Sequence, residues 1–256
     1  MEQGVDPAAS RHRFFKGCTR PAMFFGVPLA PFLLVTGAFL LVGMWAAYLL
    51  SPYVTLALVL AYVPLVSAGW VWDDDSYVTR NALLLDPEGL AAIWTPGATP
   101  QFYPLVFTSF WIEAQLYGEE FAAQPLGFHL VNWAFHVGSA LLLWRVLLRY
   151  RVPGAWLAAA LFAVHPMQVE SVAWVSERKN VMALFLALLS IRCWIAKDEA
   201  AGRERNGWYV ASLLLFAMAM LAKTMVAALA PALVAIDLWR RTPLGPKRLL
   251  SILPFF

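Results

Sequence analysis

Three adjacent carboxylates, Asp73, Asp74 and Asp75, stand immediately after a long apolar run. Like charges this close disfavour simultaneous ionisation, so at least one of them needs a compensating cation or hydrogen-bond donor. The arrangement suits a general base aimed at an acceptor hydroxyl, or a divalent cation such as Mg or Mn held by Asp73 and Asp74. It equally suits a solvated polar cap that stops a helix from sliding. Trp70, Trp72 and Tyr77 around it fit an interfacial aromatic belt in either case.

A second polar cluster runs through His165-Pro-Met-Gln-Val-Glu170 and Glu177-Arg-Lys-Asn180. Pro166 breaks or kinks a helix just after His165 and opens backbone groups to partners. Glu170 and Glu177 are one heptad apart, which would put them on a similar helical face. Arg178 and Lys179 suit an anionic partner, a phosphate above all, because arginine forks onto phosphate and lysine acts as a point charge. An ion pair with Glu177 or Glu170 accounts for them as well. Lys223, inside an apolar hairpin, either snorkels or meets an acidic group or phosphate. His129, Asn132 and His136 share one helical face by their i, i+3, i+7 spacing, and hydrogen bonding between helices is the role that spacing favours.

The elements that must carry these groups follow from composition. The chain has 256 residues, 61% hydrophobic and only 14% charged, with 12 Trp and 8 Tyr. Soluble domains carry about 25% charged residues, so the lipid bilayer is the solvent this chain suits. Disorder, a coiled coil and a disulfide-stapled fold are excluded. The net charge of +3 comes from short Lys and Arg clusters between apolar runs, which marks loops and gives no phosphate-tracking stripe for a nucleic acid. Cys18 and Cys193 offer neither a disulfide framework nor a metal pattern.

We expect an all-α, polytopic transmembrane helical bundle. Residues 1–20 form a basic tail and residues 21–256 the membrane domain, with an external loop over 73–125 that carries short interfacial helices. Pro21–Trp72 has no charged residue and could hold one or two spans. Phe102–Tyr117, with Glu113 as its single charge, reads as an amphipathic interfacial or re-entrant helix. Spans are expected at Leu126–Trp144, Gly154–Val169 and Val181–Ile195, with a hairpin of Gly207–Leu221 and Thr224–Leu238. The loops Arg145–Arg151, Lys197–Arg205 and Arg240–Arg248 are basic and should be cytoplasmic; the Asp73 loop, His165–Lys179 and the turn at Lys223 should lie outside. The last residues read as the start of a further span, so we expect the sequence to be part of a longer protein.

Five stretches, in order, carry a resemblance: Trp72-Asp-Asp-Asp-Ser-Tyr-Val-Thr-Arg-Asn81, Phe102-Tyr-Pro-Leu105, Gly127-Phe-His-Leu-Val-Asn132 with His136, Ala163 to Lys179, and Leu221-Ala-Lys-Thr with Asp237. Across roughly Leu56 to Asp237 the chain resembles the membrane portion of bacterial tetratricopeptide-repeat membrane proteins. These are similar to the eukaryotic transmembrane and tetratricopeptide-repeat O-mannosyltransferases of the GT-C superfamily. The stretch around His165 is the most specific of the five; the aspartate motif alone would be weak.

The resemblance implies a multi-pass enzyme of the inner (plasma) membrane with its active face external or periplasmic. It would transfer a sugar, mannose by analogy, from a polyprenyl-phosphate donor to a hydroxyl on an exported protein or glycan. By the same resemblance Asp73 is the base and Asp74 a supporting or metal-holding acid. Arg178 and Lys179, with Lys223, would hold the donor phosphate. Asp75, Tyr77, Tyr103, His129, His136, His165, Glu170 and Glu177 would support the site. The chain departs from the related eukaryotic pattern at Tyr103-Pro104-Leu105, where Arg-Pro-Leu is usual, and it lacks the repeats. Two rivals stand beside this reading. One is a non-catalytic anchor for interaction repeats. The other is a transporter whose path the His129–His136 face would line, although no paired halves are visible.

Overall fold

The computed structural model describes residues 23–24, 27–28 and 60–256. Most of the uncharged stretch Pro21–Trp72, with its alternative of one span or two, and the whole basic tail lie outside the described residues. Met23–Phe24 pairs with Val27–Pro28 in a two-residue antiparallel ladder. All other regular structure described is helical, in agreement with the expected all-α bundle.

Among the described residues nine complete α-helices follow one another: α1 (Gly89–Ile93), α2 (Pro104–Tyr117), α3 (Pro125–Arg149), α4 (Ala155–Val164), α5 (Met167–Ala173), α6 (Arg178–Glu199), α7 (Gly202–Ala222), α8 (Leu229–Trp239) and α9 (Pro246–Ile252). Proline opens α2, α3 and α9, where its missing N–H would have no intrahelical partner in any case. Among the described residues three segments are long and apolar enough to cross a membrane: Pro125–Arg149, Val175–Glu199 and Gly202–Ala222. At 1.5 Å per residue each exceeds the roughly 30 Å of hydrocarbon.

The core sits in three clusters stacked along the bundle. At the acidic-loop end, Phe107 and Phe110 of α2 pack with Phe128 of α3, Met182 of α6 and Tyr77. Trp133 and Val137 of α3 join Ala160 and Ala163 of α4. At the opposite end Trp194, Phe216, Leu233 and Phe255 close the bundle. Gly138 lets α3 approach α6, since a Cβ there would stand 2.7 Å from the ring of Phe185. Between α6 and α7, Ser190 and Ser212 each donate a 2.8 Å hydrogen bond to the other's carbonyl. Apolar side chains elsewhere face outward, among them Leu157 and Leu161 on α4 and Val210 and Leu214 on α7. The expected sorting of loops holds in space. Arg149 pairs with Glu199, and Arg248 with Asp198, so the three basic loops meet at one end. Asp73 and Lys179 belong to the other.

Three expectations are corrected. Gly154–Val169 is not one span: α4 stops at Val164, His165 is extended (φ −68°, ψ 131°) and Pro166 opens α5. The residue before a proline is driven out of the helical region, which ends the helix there. The segment 102–117 is not amphipathic, because α2 buries its single charge, Glu113, while Ile112 and Leu116 are exposed. Glu170 and Glu177 do not share a helical face, because Trp174 is extended between them.

Candidate functional site

The aspartate loop is held by its middle member. Trp72 adopts φ 44°, a left-handed conformation unusual for a bulky residue, and its ring meets that of Trp174 edge-on at 5.2 Å. The turn aims Asp74 inward. Its Oδ2 accepts the Val71 N–H at 2.9 Å and its Oδ1 the Ser176 N–H at 2.7 Å. Asp74 is fully buried, and burial pushes its carboxyl up while those N–H groups oppose the rise. It therefore fastens the loop to the turn that opens α6. Asp75 turns aside, bound to Arg80 at 3.0 Å and accepting from the Thr79 hydroxyl at 2.9 Å. A single π-helical turn, Asp75–Thr79, sets these directions. Asp73 is exposed, and among the described residues its carboxylate makes no hydrogen bond or ion pair.

Beside Asp73 lies a charged row. Tyr77 is buried, stacks on Phe107 at 5.0 Å and donates to Gln101 Oε1 at 2.8 Å. Burial, then the nearby Tyr103, Asp73 and Glu177, push its hydroxyl up. Lys179 Nζ stands 5.5 Å from the centre of the Tyr77 ring and 2.6 Å from Glu177 Oε1. Glu177 also accepts from Asn180, and Asn180 accepts from Lys223 Nζ. Asp73, Tyr77, Tyr103, Glu177, Lys179 and Lys223 are thus brought together, with Gln101 and Asn180 joining them.

From Asn180 and Lys223 a groove of about 440 Å³ runs along α6 and the Thr224–Ala228 turn. Ala183, Ala187, Leu188 and Ile191 form one side, and Met225 and Leu229 contribute to the other. Asn180 to Ile191 is eleven residues of helix, roughly 16 Å. The groove is apolar throughout and charged only at its end.

Arg178 is elsewhere. It is fully buried beneath the row. Its Nε donates to Asn132 Oδ1 at 2.8 Å, its Nη1 to Ser109 and Glu113, and its Nη2 to the Phe128 carbonyl at 2.9 Å. The guanidinium also lies 4.4 Å from the Phe110 ring centre. With its fork consumed inside, Arg178 has no donor left for a phosphate. Neither alternative weighed for it, phosphate or Glu177 and Glu170, is what it meets. Its partner is Glu113, the single charge of the apolar stretch 102–117; a lone charge there needs a buried counter-ion, which is the signal that could have paired the two.

The other expected members divide. Asn132 Nδ2 donates to the carbonyls of Trp174 and Val175 at 3.1 and 3.4 Å. His136 meets the Ala163 carbonyl at 2.9 Å and the Tyr62 hydroxyl at 3.2 Å. His129 is buried on the same face. Asn132 and His136 tie separate elements together, as their spacing suggested, whereas neither ring nitrogen of His129 has a hydrogen-bond partner among the described residues. His165 is exposed and accepts the Met167 N–H at 3.2 Å, capping α5, and Glu170 is exposed beyond it. Among the described residues no hydrogen bond or ion pair joins His165 or Glu170 to Asp73.

A divalent cation needs several converging oxygens. Asp74 points inward to backbone N–H groups, Asp75 binds Arg80, and Asp73 is exposed. Among the described residues no three His, Cys, Asp or Glu side chains are grouped to hold a metal ion. The aspartates do not fit the cation expected of them.

Comparison with known proteins supports the resemblance read from the motifs. The chain is 28% identical over 183 residues to Protein O-mannosyl-transferase TMTC4 of Homo sapiens, covering 60% of this chain and 24% of that protein. It is 29% identical over 195 residues to Protein O-mannosyl-transferase TMTC2 of Mus musculus (69% and 22%). It is 30% identical over 181 residues to Protein O-mannosyl-transferase Tmtc1 of Drosophila melanogaster (66% and 20%). The chain thus spans less than a quarter of the length of these relatives. Residues 10–74 match a second family, described as Type IV secretory pathway, VirB3-like protein. A 40-residue stretch is 48% identical to Type IV secretion system protein virB3 of Brucella abortus biovar 1 (strain 9-941), covering 16% of this chain and 34% of that protein. No solved structure matches the chain.

Proposed function

We propose that this chain forms the donor-binding membrane portion of a glycosyltransferase. In this reading it works at the outer face of the plasma membrane and transfers a sugar, mannose by analogy with its relatives, from a polyprenyl phosphate to a hydroxyl of an exported protein or glycan. The observation that carries the reading is the groove along α6, lined by apolar side chains and ending at Lys223 and Asn180, which connect through Glu177 and Lys179 to Tyr77 of the aspartate loop. A ligand with a long hydrocarbon tail and a single anionic head fits that pattern.

Asp73 takes the proton of the acceptor hydroxyl as its oxygen attacks the anomeric carbon. The bond from that carbon to the phosphate oxygen breaks with inversion, and polyprenyl phosphate leaves. Lys223 faces the leaving phosphate, with Lys179 behind it, so positive charge stands where negative charge develops. Arg178 acts through position: with Glu113 and Asn132 it fixes the start of α6, from which Lys179 and Asn180 project. Asp74 fixes the loop that presents Asp73. Because the residues do not fit a cation, no step is routed through one.

The test is sugar transfer by the full chain, purified in lipid, from a radiolabelled polyprenyl-phosphate sugar. Asp73→Asn should lower transfer at least about 100-fold, the lower range for a general base, with membrane insertion unchanged. Undiminished transfer by this variant would remove Asp73 from the mechanism. A second reading, a non-catalytic membrane anchor, stands because residues 10–74 match a family whose description, Type IV secretory pathway, VirB3-like protein, names no transferase. It predicts no transfer by the unaltered chain.

A further inference from the structure

The end of the bundle opposite Asp73 carries its own arrangement of charge. α3 and α8 both finish in the same hydrogen-bonded turn. Val152 N–H reaches back to the Leu147 carbonyl and Arg151 N–H to that of Leu148, at 3.0 and 2.9 Å. Thr242 N–H and Arg241 N–H do the same with Asp237 and Leu238, at 2.9 and 3.0 Å. The residue at the left-handed position of such a turn is usually glycine. Here it is arginine twice, Arg151 and Arg241, each at φ 56°. A side chain there strains the backbone relative to glycine.

One of these arginines lines a hollow of about 680 Å³, together with Arg149, Tyr150, Glu199, Trp239 and Arg240. A second hollow, of about 440 Å³, shares Arg149 and Glu199 and adds Arg145, Leu148 and Arg192. Across the two, five guanidinium groups face one carboxylate. The other acids nearby are occupied, Asp198 and Asp237 both by Arg248. Arg240 is held over the Tyr150 ring at 5.0 Å. The rim is apolar: Trp239, Leu238 and Leu148 are 61%, 60% and 48% exposed.

We propose that this paired hollow is a binding site for the head group of an anionic glycerophospholipid, separate from the donor groove. A surplus of positive charge calls for an anion, and exposed Trp and Leu at the ends of apolar helices call for one that carries acyl chains. A soluble phosphate would gain nothing from the rim. A purely structural role for the arginines, opposing the helix dipoles, would be served without any surplus.

The experiment titrates the full chain, in uncharged detergent, with phosphatidylglycerol or phosphatidylcholine and reads bound lipid by native mass spectrometry. Phosphatidylglycerol should bind at least tenfold more tightly than phosphatidylcholine. Arg151→Gly and Arg240→Gln should each weaken phosphatidylglycerol by about fivefold, as expected for one charge near a surface. Arg151→Gly keeps the backbone turn, so its thermal midpoint should not fall. Glycerol 1-phosphate and inorganic phosphate should fail to compete. Equal binding of both lipids, unchanged phosphatidylglycerol binding by the two variants combined, or displacement by millimolar phosphate would each overturn the proposal.

Discussion

Adjacent residues of one type take opposite roles here. Asp73 is exposed, while Asp74 is sealed by two backbone donors; Arg178 is consumed in the core, while Lys179 points to the charged row. Residue type and spacing could nominate these pairs but could not say which member faces inward, because that depends on a turn whose key feature is a left-handed Trp72. The Glu113–Arg178 pair gives the sharpest check at this scale. Removing one partner of a buried ion pair leaves an uncompensated charge, so Arg178→Met should destabilise the chain by about 3–5 kcal/mol. Adding Glu113→Leu should restore much of that loss. Thermal unfolding in detergent reads both, and equal midpoints for the single and double variants would show that the pair is not coupled.

At the scale of elements, the long spans were legible from apolar length alone, and the His129, Asn132 and His136 face from its period. What was not legible was continuity. Pro166 was recognised as a breaker, yet the apolar run beyond it gives no sign that the helix stops at Val164. Contacts between distant helices were invisible too, such as the reciprocal hydrogen bonds of Ser190 and Ser212, two residues that read as unremarkable small polar positions. Ser190→Ala with Ser212→Ala should lower stability by roughly 1–2 kcal/mol, read as a lowered thermal midpoint in detergent. No shift would mean that close packing alone joins α6 and α7.

For the molecule as a whole, charge is segregated to two ends by bilayer-length helices. The apolar groove that ends at Asn180 and Lys223 opens at one end, and the arginine-lined hollows lie at the other. The sequence-level division into basic and acidic loops anticipated this, since that division reflects the bilayer and not local packing. A metal at the aspartates was also anticipated from three adjacent carboxylates, and the fold disperses them instead. Transfer should therefore be indifferent to chelation: excess EDTA leaves the rate within about twofold, and a tenfold loss restored by Mg would contradict the dispersed arrangement.

The occupant of the groove can be tested by length. Ala232 lines the groove from α8 and is exposed, so a large side chain there fills the groove without disturbing the core. Transfer by Ala232→Trp, measured with a long polyprenyl-phosphate sugar and with a two-isoprene analogue, separates tail binding from chemistry. Transfer should fall about tenfold or more with the long donor, near 1.4 kcal/mol, and change little with the short one. Equal effects on both donors would contradict binding of the tail in the groove.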